Sequence, residues 1–506
     1  MRLLLNFISK HIYLVILIVF FGFLFFFRLD WMPLNSWDEA WYASIAREIV
    51  KHNEWVFLQF NNIPFYDHPP MGFWITASVY KIIGVSEFST RAPNVIAGLL
   101  STILIYLIGT EIGKNKLVGF CSAIIINTSV WYLLRVRSGN LDAMFLFFYI
   151  ASIFFAIKTS KNFKYFPFSM LMFACLVMTK TLVGVSAIIP IIWFSVPNVF
   201  TAKKNVLYLI VGITIAYIII MPWYQAQINE YPDFYLHHFI DVGSRNTEFN
   251  SIESVAKLNM ELPLFYLHMG VRKWYKLWIV GATISAVTSI YMVIEVFIKK
   301  KKRSKISNTL NTFKILGIII WNIVILYPFL TTDQTQIWHL IPVYAPLSIL
   351  TSLGLVEILP RIFHAICLRI IFINKKFNID YYRFSQYLMS ALIVVIGFWQ
   401  FKIFYSEVFP STRYYPDEVN ILIQAQKYNF PMLFIDRDYA PIAVFYSGKN
   451  ITERTREATD NDTIAKIFDQ NDSFMLVERN DIVQNYRGEF LLLEKNNSFS
   501  ILTKPQ

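Results

Sequence analysis

Charge is what this sequence has least of. Only 16% of its 506 residues are charged, against about a quarter in a soluble domain. With 56% hydrophobic residues and a mean hydropathy of +0.46, it cannot cover a soluble surface. It reads as many membrane spans rather than one anchor. Cysteine is nearly absent: Cys121, Cys175 and Cys367 each lie in or beside an apolar run, without CxxC spacing. That argues against a disulfide framework or a thiolate metal site. No small-residue cleavage site follows the apolar run 12–27; Arg28-Leu-Asp-Trp31 does. The run therefore reads as an uncleaved first span. There is no internal repeat and no nucleotide-binding fingerprint. The net charge of +12 sits in short clusters between apolar runs, the pattern of cytoplasmic loops rather than of a nucleic-acid surface.

A spanning helix needs about 20 apolar residues. Candidate spans are 12–27, 93–112, 117–134, 141–157, 166–180, 182–198, 206–222, 276–297, 313–330, 340–358 and 385–404, with room for further short segments in 361–373. The expected fold is a polytopic α-helical membrane protein of 11–13 transmembrane helices. With these spans, every basic cluster falls on the side of Arg2 and Lys10: Lys114 and Lys116; Lys158, Lys161 and Lys164; Lys203 and Lys204; Lys299 to Arg303; and Arg361 to Arg383. That places the N-terminus in the cytoplasm.

The other side carries outer loops at 28–91, 223–275 and 331–339. Two helical pieces in the first, Ala40–Lys51 and Met71–Ile83, are too short to span and are expected in the membrane interface. The division is a membrane core over 1–405 and an extracytoplasmic α/β domain over 406–506. Residues 407–506 carry a net charge of −4, leaving +16 on the membrane part. Within the tail, 431–435, 473–477 and 490–493 read as strands, and 418–428 and 463–469 as helices.

Acids at a membrane face call for a reason. Asp38 and Glu39 stand together in Asn35-Ser-Trp-Asp-Glu-Ala-Trp-Tyr42. They read equally as an N-cap and first-turn acid of the following helix and as reactive carboxylates. Asp67 and His68 are fixed between prolines in Pro64-Phe-Tyr-Asp-His-Pro-Pro70, which an ordinary rigid turn also explains. Asp142 opens a span in the stretch Arg135–Met144. Lys180, Arg245 and His339 fall on the same side. Sugar transfer from a lipid phosphate needs such a set. A carboxylate takes the acceptor proton, and cations or imidazoles stabilise the departing phosphate.

These motifs, with Glu87-Phe-Ser-Thr-Arg-Ala-Pro93, Leu141-Asp-Ala-Met144, Thr179-Lys180, Met221-Pro-Trp-Tyr224 and Leu340-Ile-Pro-Val-Tyr-Ala-Pro346, resemble the protein mannosyltransferase and aminoarabinose (lipid A) transferase family of the GT-C superfamily. The resemblance covers roughly residues 1–360. It implies an integral-membrane glycosyltransferase using an undecaprenyl-phosphate type sugar, with inversion, at the outer face. The acceptor would be a lipid, a glycan or a protein. It makes Asp38 the base and gives Glu39 and Asp142 as the other catalytic acids. His68, Lys180, Arg245 and His339 would hold the donor phosphate. Trp41, Tyr42 and Asp67 would belong to the substrate loop.

The sequence departs from the family where Trp41 replaces a common Arg, His68 a common Lys and His339 a common Tyr. These changes argue against assuming aminoarabinose as the sugar. Some relatives bind zinc here, which offers Asp67, His237 and His238 as ligands of a divalent metal; no other cofactor is implied. The rival readings are protein O-mannosyltransferase-like transfer to Ser/Thr, and a transporter or flippase of lipid-linked sugars. The latter usually shows inverted repeats, which are missing here.

Overall fold

The structure is a computed structural model, and it describes residues 11–242, 261–299, 312–330, 336–370, 380–454 and 461–505. A helix lies in each of the eleven expected segments. Among the described residues, six helices are individually long and apolar enough to cross a membrane: 87–113, 142–159, 203–230, 312–330, 337–366 and 381–408. The 18 residues of Asp142–Thr159 rise about 27 Å, close to the ~30 Å hydrocarbon thickness. The chain is a multi-pass membrane protein.

The helices before the site are α1 (Ile12–Phe26), α2 (Asp38–His52), α3 (Met71–Ile83) and α4 (Glu87–Gly113). Ser86 starts α4 with a capping box, its hydroxyl accepting from Ser89 N. Next come α5 (Lys116–Asn127), α6 (Val130–Val136) and α7 (Asp142–Thr159).

The expected straight span 117–134 is instead two helices, α5 and α6, bent by 77°. The reason is local. Thr128 Oγ1 donates to Ile124 O (2.7 Å) and Ser129 Oγ to Ile125 O (2.9 Å). Hydroxyls that bond back to carbonyls one turn earlier loosen a helix. Trp274 Nε1 donates to Thr128 Oγ1 (2.9 Å) and Gln400 Nε2 to Thr128 O (2.5 Å), so groups at the bend keep partners. A second break separates α8 (Phe166–Val177) from a short turn of helix, 181–185. Both breaks deliver cations to one end of the bundle.

The C-terminal region contains α9 (Asp417–Ala425), β3 (Met432–Asp436), α10 (Ala440–Ser447), β4 (Asn450–Arg454), α11 (Asn461–Gln470), β5 (Met475–Arg479), β6 (Leu491–Lys495) and β7 (Phe499–Thr503). The short pair β1 (Gln59–Phe60) and β2 (Ile63–Pro64) lies in the first outer loop. The C-terminal sheet runs β4-β3-β5-β7-β6, with β3 parallel to β4 and β5 and the other pairs antiparallel. Two strands escaped the sequence reading. β4 is the polar edge Asn-Ile-Thr-Glu-Arg, and β7 follows β6 after only three residues, too closely to separate from it.

Helix α2 corrects the interfacial expectation for 40–51. Ala40 and Ala43 share a core with Val419, Leu422, Ala443 and Ile501 of the C-terminal region. Ile45, Ala46 and Ile49 pack in the membrane core with Phe73, Ala77 and Tyr80. The helix is sandwiched between two protein layers. Arg47 rivets the contact: Nη1 donates to Phe445 O (2.6 Å) and Nη2 to Val444 O (2.7 Å), at the carbonyl end of α10. In α3, by contrast, Ile82 and Ile83 stay exposed.

Removing this rivet weakens the docking. Arg47→Ala is expected to destabilise the C-terminal region by about 1.5–3 kcal/mol, the worth of hydrogen bonds from a charged donor. Faster amide exchange across 417–503, with 87–159 unchanged, is the check.

Candidate functional site

The first outer loop is held by a buried ion pair. Arg91, on α4, donates from Nε to Glu39 Oε1 (2.7 Å) and from Nη2 to Oε2 (3.0 Å). Its remaining donors reach Leu29 O, Met32 O and Pro33 O, each at 2.8 Å. Glu39 also accepts from Asn35 N (2.9 Å) and Gly139 N (2.8 Å). Gly139 is needed for that approach, because a Cβ there would lie 2.4 Å from Thr90 Cγ2 and 3.2 Å from Glu39 Cγ. Burial opposes charge on Glu39, but Arg91 and the hydrogen bonds from Arg91, Asn35 and Gly139 outweigh it. They hold its carboxyl below the usual carboxylate range. Glu39 is only 1% exposed, so the structure gives this expected catalytic acid a holding role.

Asp38 faces elsewhere. The N-cap position of α2 belongs to Trp37, which makes no side-chain cap bond, so Asp38 is the first helical residue and not the cap. Its side chain is 39% exposed, and Oδ2 accepts from Arg135 Nη1 at 3.1 Å. The same guanidinium lies 3.4 Å, from Nε, to Asp142 Oδ2, while Lys180 Nζ sits 2.6 Å from Asp142 Oδ1. The two cations come from the two breaks: Arg135 from α6, and Lys180 from the turn after α8. Asn140 orients Asp142 by accepting its backbone N–H at 2.8 Å. Arg135 is also covered by the Trp338 ring, 4.4 Å from its centroid.

His339 enters from the 3₁₀ turn Ile337–Leu340, its Nδ1 accepting from Gln336 N (3.0 Å) and its ring stacked on Phe329. Asp38, Tyr42, Asn140, Asp142, Lys180 and His339 line one cavity of about 120 Å³.

The other expected residues that the structure describes do not line this cavity. His68 is one layer out, its ring 5.9 Å from that of Tyr42 and 6.4 Å from Phe65. Trp41 packs on Phe60 and Phe65. Asp67 pairs with His237 at 2.7 Å. His238 instead bonds Thr181 Oγ1 (2.8 Å) through Nε2 and Tyr66 O (2.9 Å) through Nδ1. Burial pushes its imidazole below the ordinary value, which suits a neutral ring bonded at both nitrogens.

Asp67, His237 and His238 therefore do not converge as a metal site. No group of three His, Cys, Asp or Glu positioned to hold a metal occurs among the described residues. What the histidines do is clamp the first outer loop and the Lys180 turn together. Arg245 lies outside the described residues. The sequence reading missed Arg135 and Trp338. The signal for Arg135 was present: Arg135-Val-Arg137 is a basic pair outside the clusters assigned to the cytoplasmic side.

Known proteins resemble this chain in part of its sequence and in its fold. Residues 67–225 match the dolichyl-phosphate-mannose-protein mannosyltransferase family. That match takes in about a third of the chain. A similar curated relative is the undecaprenyl phosphate-alpha-4-amino-4-deoxy-L-arabinose arabinosyl transferase 2 of Proteus mirabilis, 29% identical over 236 residues. That alignment covers 44% of this chain and 42% of the relative. The Yersinia pestis (strain Pestoides F) transferase is 27% identical over 234 residues, 43% of this chain and 41% of its own. The matches thus span less than half the length of these relatives.

The fold likeness runs further. The crystal structure of ArnT from Cupriavidus metallidurans bound to undecaprenyl phosphate superposes with a TM-score of 0.68 at 16% identity, covering 98% of this chain and all of that one. An archaeal oligosaccharyltransferase, AglB of Archaeoglobus fulgidus, gives 0.53 at 12%, covering 93% of this chain and 70% of that one.

The Glu39–Arg91 lock makes a separable prediction. Glu39→Gln leaves Arg91 buried without its counter-charge, at a cost of about 3–5 kcal/mol. The folded carboxyl lies below its unfolded value. The stability it contributes is therefore present above the ordinary carboxylate range and lost as pH falls through the folded value. The melting-temperature gap between wild type and Glu39→Gln should be wide at pH 7 and narrow towards acid pH.

Proposed function

We propose that this chain is an integral-membrane glycosyltransferase. It moves a sugar from a polyprenyl-phosphate donor, of the undecaprenyl-phosphate type, to a lipid, glycan or protein acceptor. The observation that carries the reading is the cavity. Two carboxylates, Asp38 and Asp142, line it with Lys180 and His339, and Arg135 pairs with both carboxylates. The family relatives named for undecaprenyl-phosphate sugars support the donor class.

In the mechanism, Asp38 is the base, because its carboxylate is the exposed one of the three acids. It takes the proton of the acceptor hydroxyl or amine as that group attacks the anomeric carbon. The bond from that carbon to the phosphate oxygen breaks, and the lipid phosphate leaves with the electron pair. Lys180, Arg135 and His339 stabilise the growing charge. Asp142 holds Lys180 and Arg135 in position until a phosphate competes for them.

The orientation belongs to the same proposal: N-terminus cytoplasmic, cavity and C-terminal domain on the outer face. Lys158, Lys161 and Lys314 gather on Glu111, near the far end of α4 from Arg91. This is the positive charge expected on the cytoplasmic side.

The test uses purified full-length protein, a radiolabelled panel of polyprenyl-phosphate sugars, and Asp38→Asn. Donor turnover by the wild type, reduced at least about 100-fold in Asp38→Asn, is the expected result. If neither protein consumes donor and both move labelled lipid across vesicles, the chain is a carrier and the transferase reading fails.

A further inference from the structure

The end of the bundle away from the transfer site gathers charge of one sign. Arg91 and Glu111 stand twenty residues apart on α4, about 30 Å at 1.5 Å per residue, which matches the hydrocarbon thickness. Glu111 therefore lies at the other membrane face. Three lysines from the ends of two further helices converge on its carboxylate. Lys161 Nζ donates to Oε2 at 2.6 Å and Lys314 Nζ to Oε1 at 2.7 Å. Lys158 Nζ lies 3.4 Å from Oε2. Lys158 is in the last turn of α7, Lys161 follows that helix, and Lys314 opens the helix Thr312–Leu330.

The charges do not balance. One carboxylate meets three ammonium groups, two of them on the same oxygen. The turns 113–116 and 158–165 add Lys114, Lys116 and Lys164 and no acid. The sequence 300–311, ahead of Lys314, adds five basic residues and again no acid. Separate loop lysines hold their charges out in water. Here the Lys314 and Lys158 side chains are only 8% and 24% exposed, and Lys161 alone of the three is mostly open, at 59%. The single charge of Glu111 offsets one ammonium. The excess falls on Lys158 and Lys161, which stand close together at the surface. An ammonium has three donors, and Lys161 spends one on Glu111.

The flank of the cluster is apolar. Phe313, next to Lys314, is 37% exposed. Its ring stacks on Trp193 at 4.9 Å, and Trp193 Nε1 donates to Phe313 O at 3.0 Å. A tryptophan near a helix end at this depth is a membrane-interface anchor. A basic pocket between spanning helices, with apolar surface beside it, is the arrangement that holds anionic lipid headgroups. A soluble anion would use the lysines and leave the apolar flank idle.

We propose that the lysine cluster on Glu111 binds the phosphate of an anionic phospholipid at the membrane face opposite the transfer site. Lys158 and Lys161 meet the phosphate oxygens as point charges. Glu111 and Lys314 hold the two lysines together, and Phe313 and Trp193 lie beside the acyl chains. The site takes no part in the transfer chemistry and does not rest on it.

The test is native mass spectrometry of the full chain in neutral detergent, with phosphatidylglycerol, phosphatidylcholine and inorganic phosphate as probes. Phosphatidylglycerol should bind at least about 10-fold more tightly than phosphatidylcholine. It should weaken at least about 10-fold when Lys158→Gln and Lys161→Gln are combined, the worth of two lysines at an anionic lipid. Lys203→Gln with Lys204→Gln removes the same charge from the exposed start of the helix Lys203–Glu230 and should leave the affinity unchanged. Melting temperature reports folding; if the first pair does not fold, Lys161→Gln alone carries the test. Equal binding of the two lipids, unchanged affinity in the cluster variant, or an equal loss in the Lys203 and Lys204 variant overturns the proposal. Displacement of phosphatidylglycerol by an equal concentration of inorganic phosphate would make the ligand a free anion and overturn it too.

Discussion

The ion pair between Glu39 and Arg91 is the constraint on which the rest of this structure depends. A bidentate carboxylate–guanidinium pair at 2.7 and 3.0 Å survives burial only when its other donors and acceptors are met. Here they are met by the carbonyls of Leu29, Met32 and Pro33 and by the amides of Asn35 and Gly139. Those partners lie in the turns and irregular backbone that enter the first outer loop and in the turn before α7. One pair therefore fixes the start of α2 against α4 and α7 together, which sets Asp38 opposite Asp142.

Two defects in the helical bundle complete the site. A continuous α-helix over 117–134 would carry Arg135 on along the axis of α5. The 77° bend turns it to lie between the two carboxylates. The break after Val177 does the same for Lys180. At the first bend Gln400 donates to Thr128 O, and at the second Met71 N donates to Met178 O. In a bundle surrounded by lipid, breaks of this kind are tolerated where protein satisfies them, and they are what lets cations reach one cavity.

Much of this was legible in the sequence because lipid demands long apolar runs, and eleven such runs became helices. Asp38, Asp142, Lys180 and His339 stood out for a related reason: ionisable groups are scarce near spans. The bend was not legible, since residues 117–134 are mostly apolar and Thr128-Ser129 is an unremarkable pair in that run. Arg135 was consequently passed over. The roles of Asp38 and Glu39 could not be told apart, because adjacent acids differ only in which way the helix turns them. The docking of α2 onto α10 depends on contacts some 400 residues apart and leaves no local pattern. The two unrecognised strands were short and carried few of the usual apolar alternations.

The central claim is that the charges around Asp38 form a seat for a lipid phosphate. The most direct measurement is the dissociation constant of undecaprenyl phosphate, read from tryptophan fluorescence in detergent, with Trp338 lying over Arg135. It would be compared between wild type, Arg135→Ala and Lys180→Ala. The account predicts saturable binding that weakens at least about 10-fold in each variant, as expected for losing a charged hydrogen bond to phosphate. Equal affinity in all three proteins would contradict it.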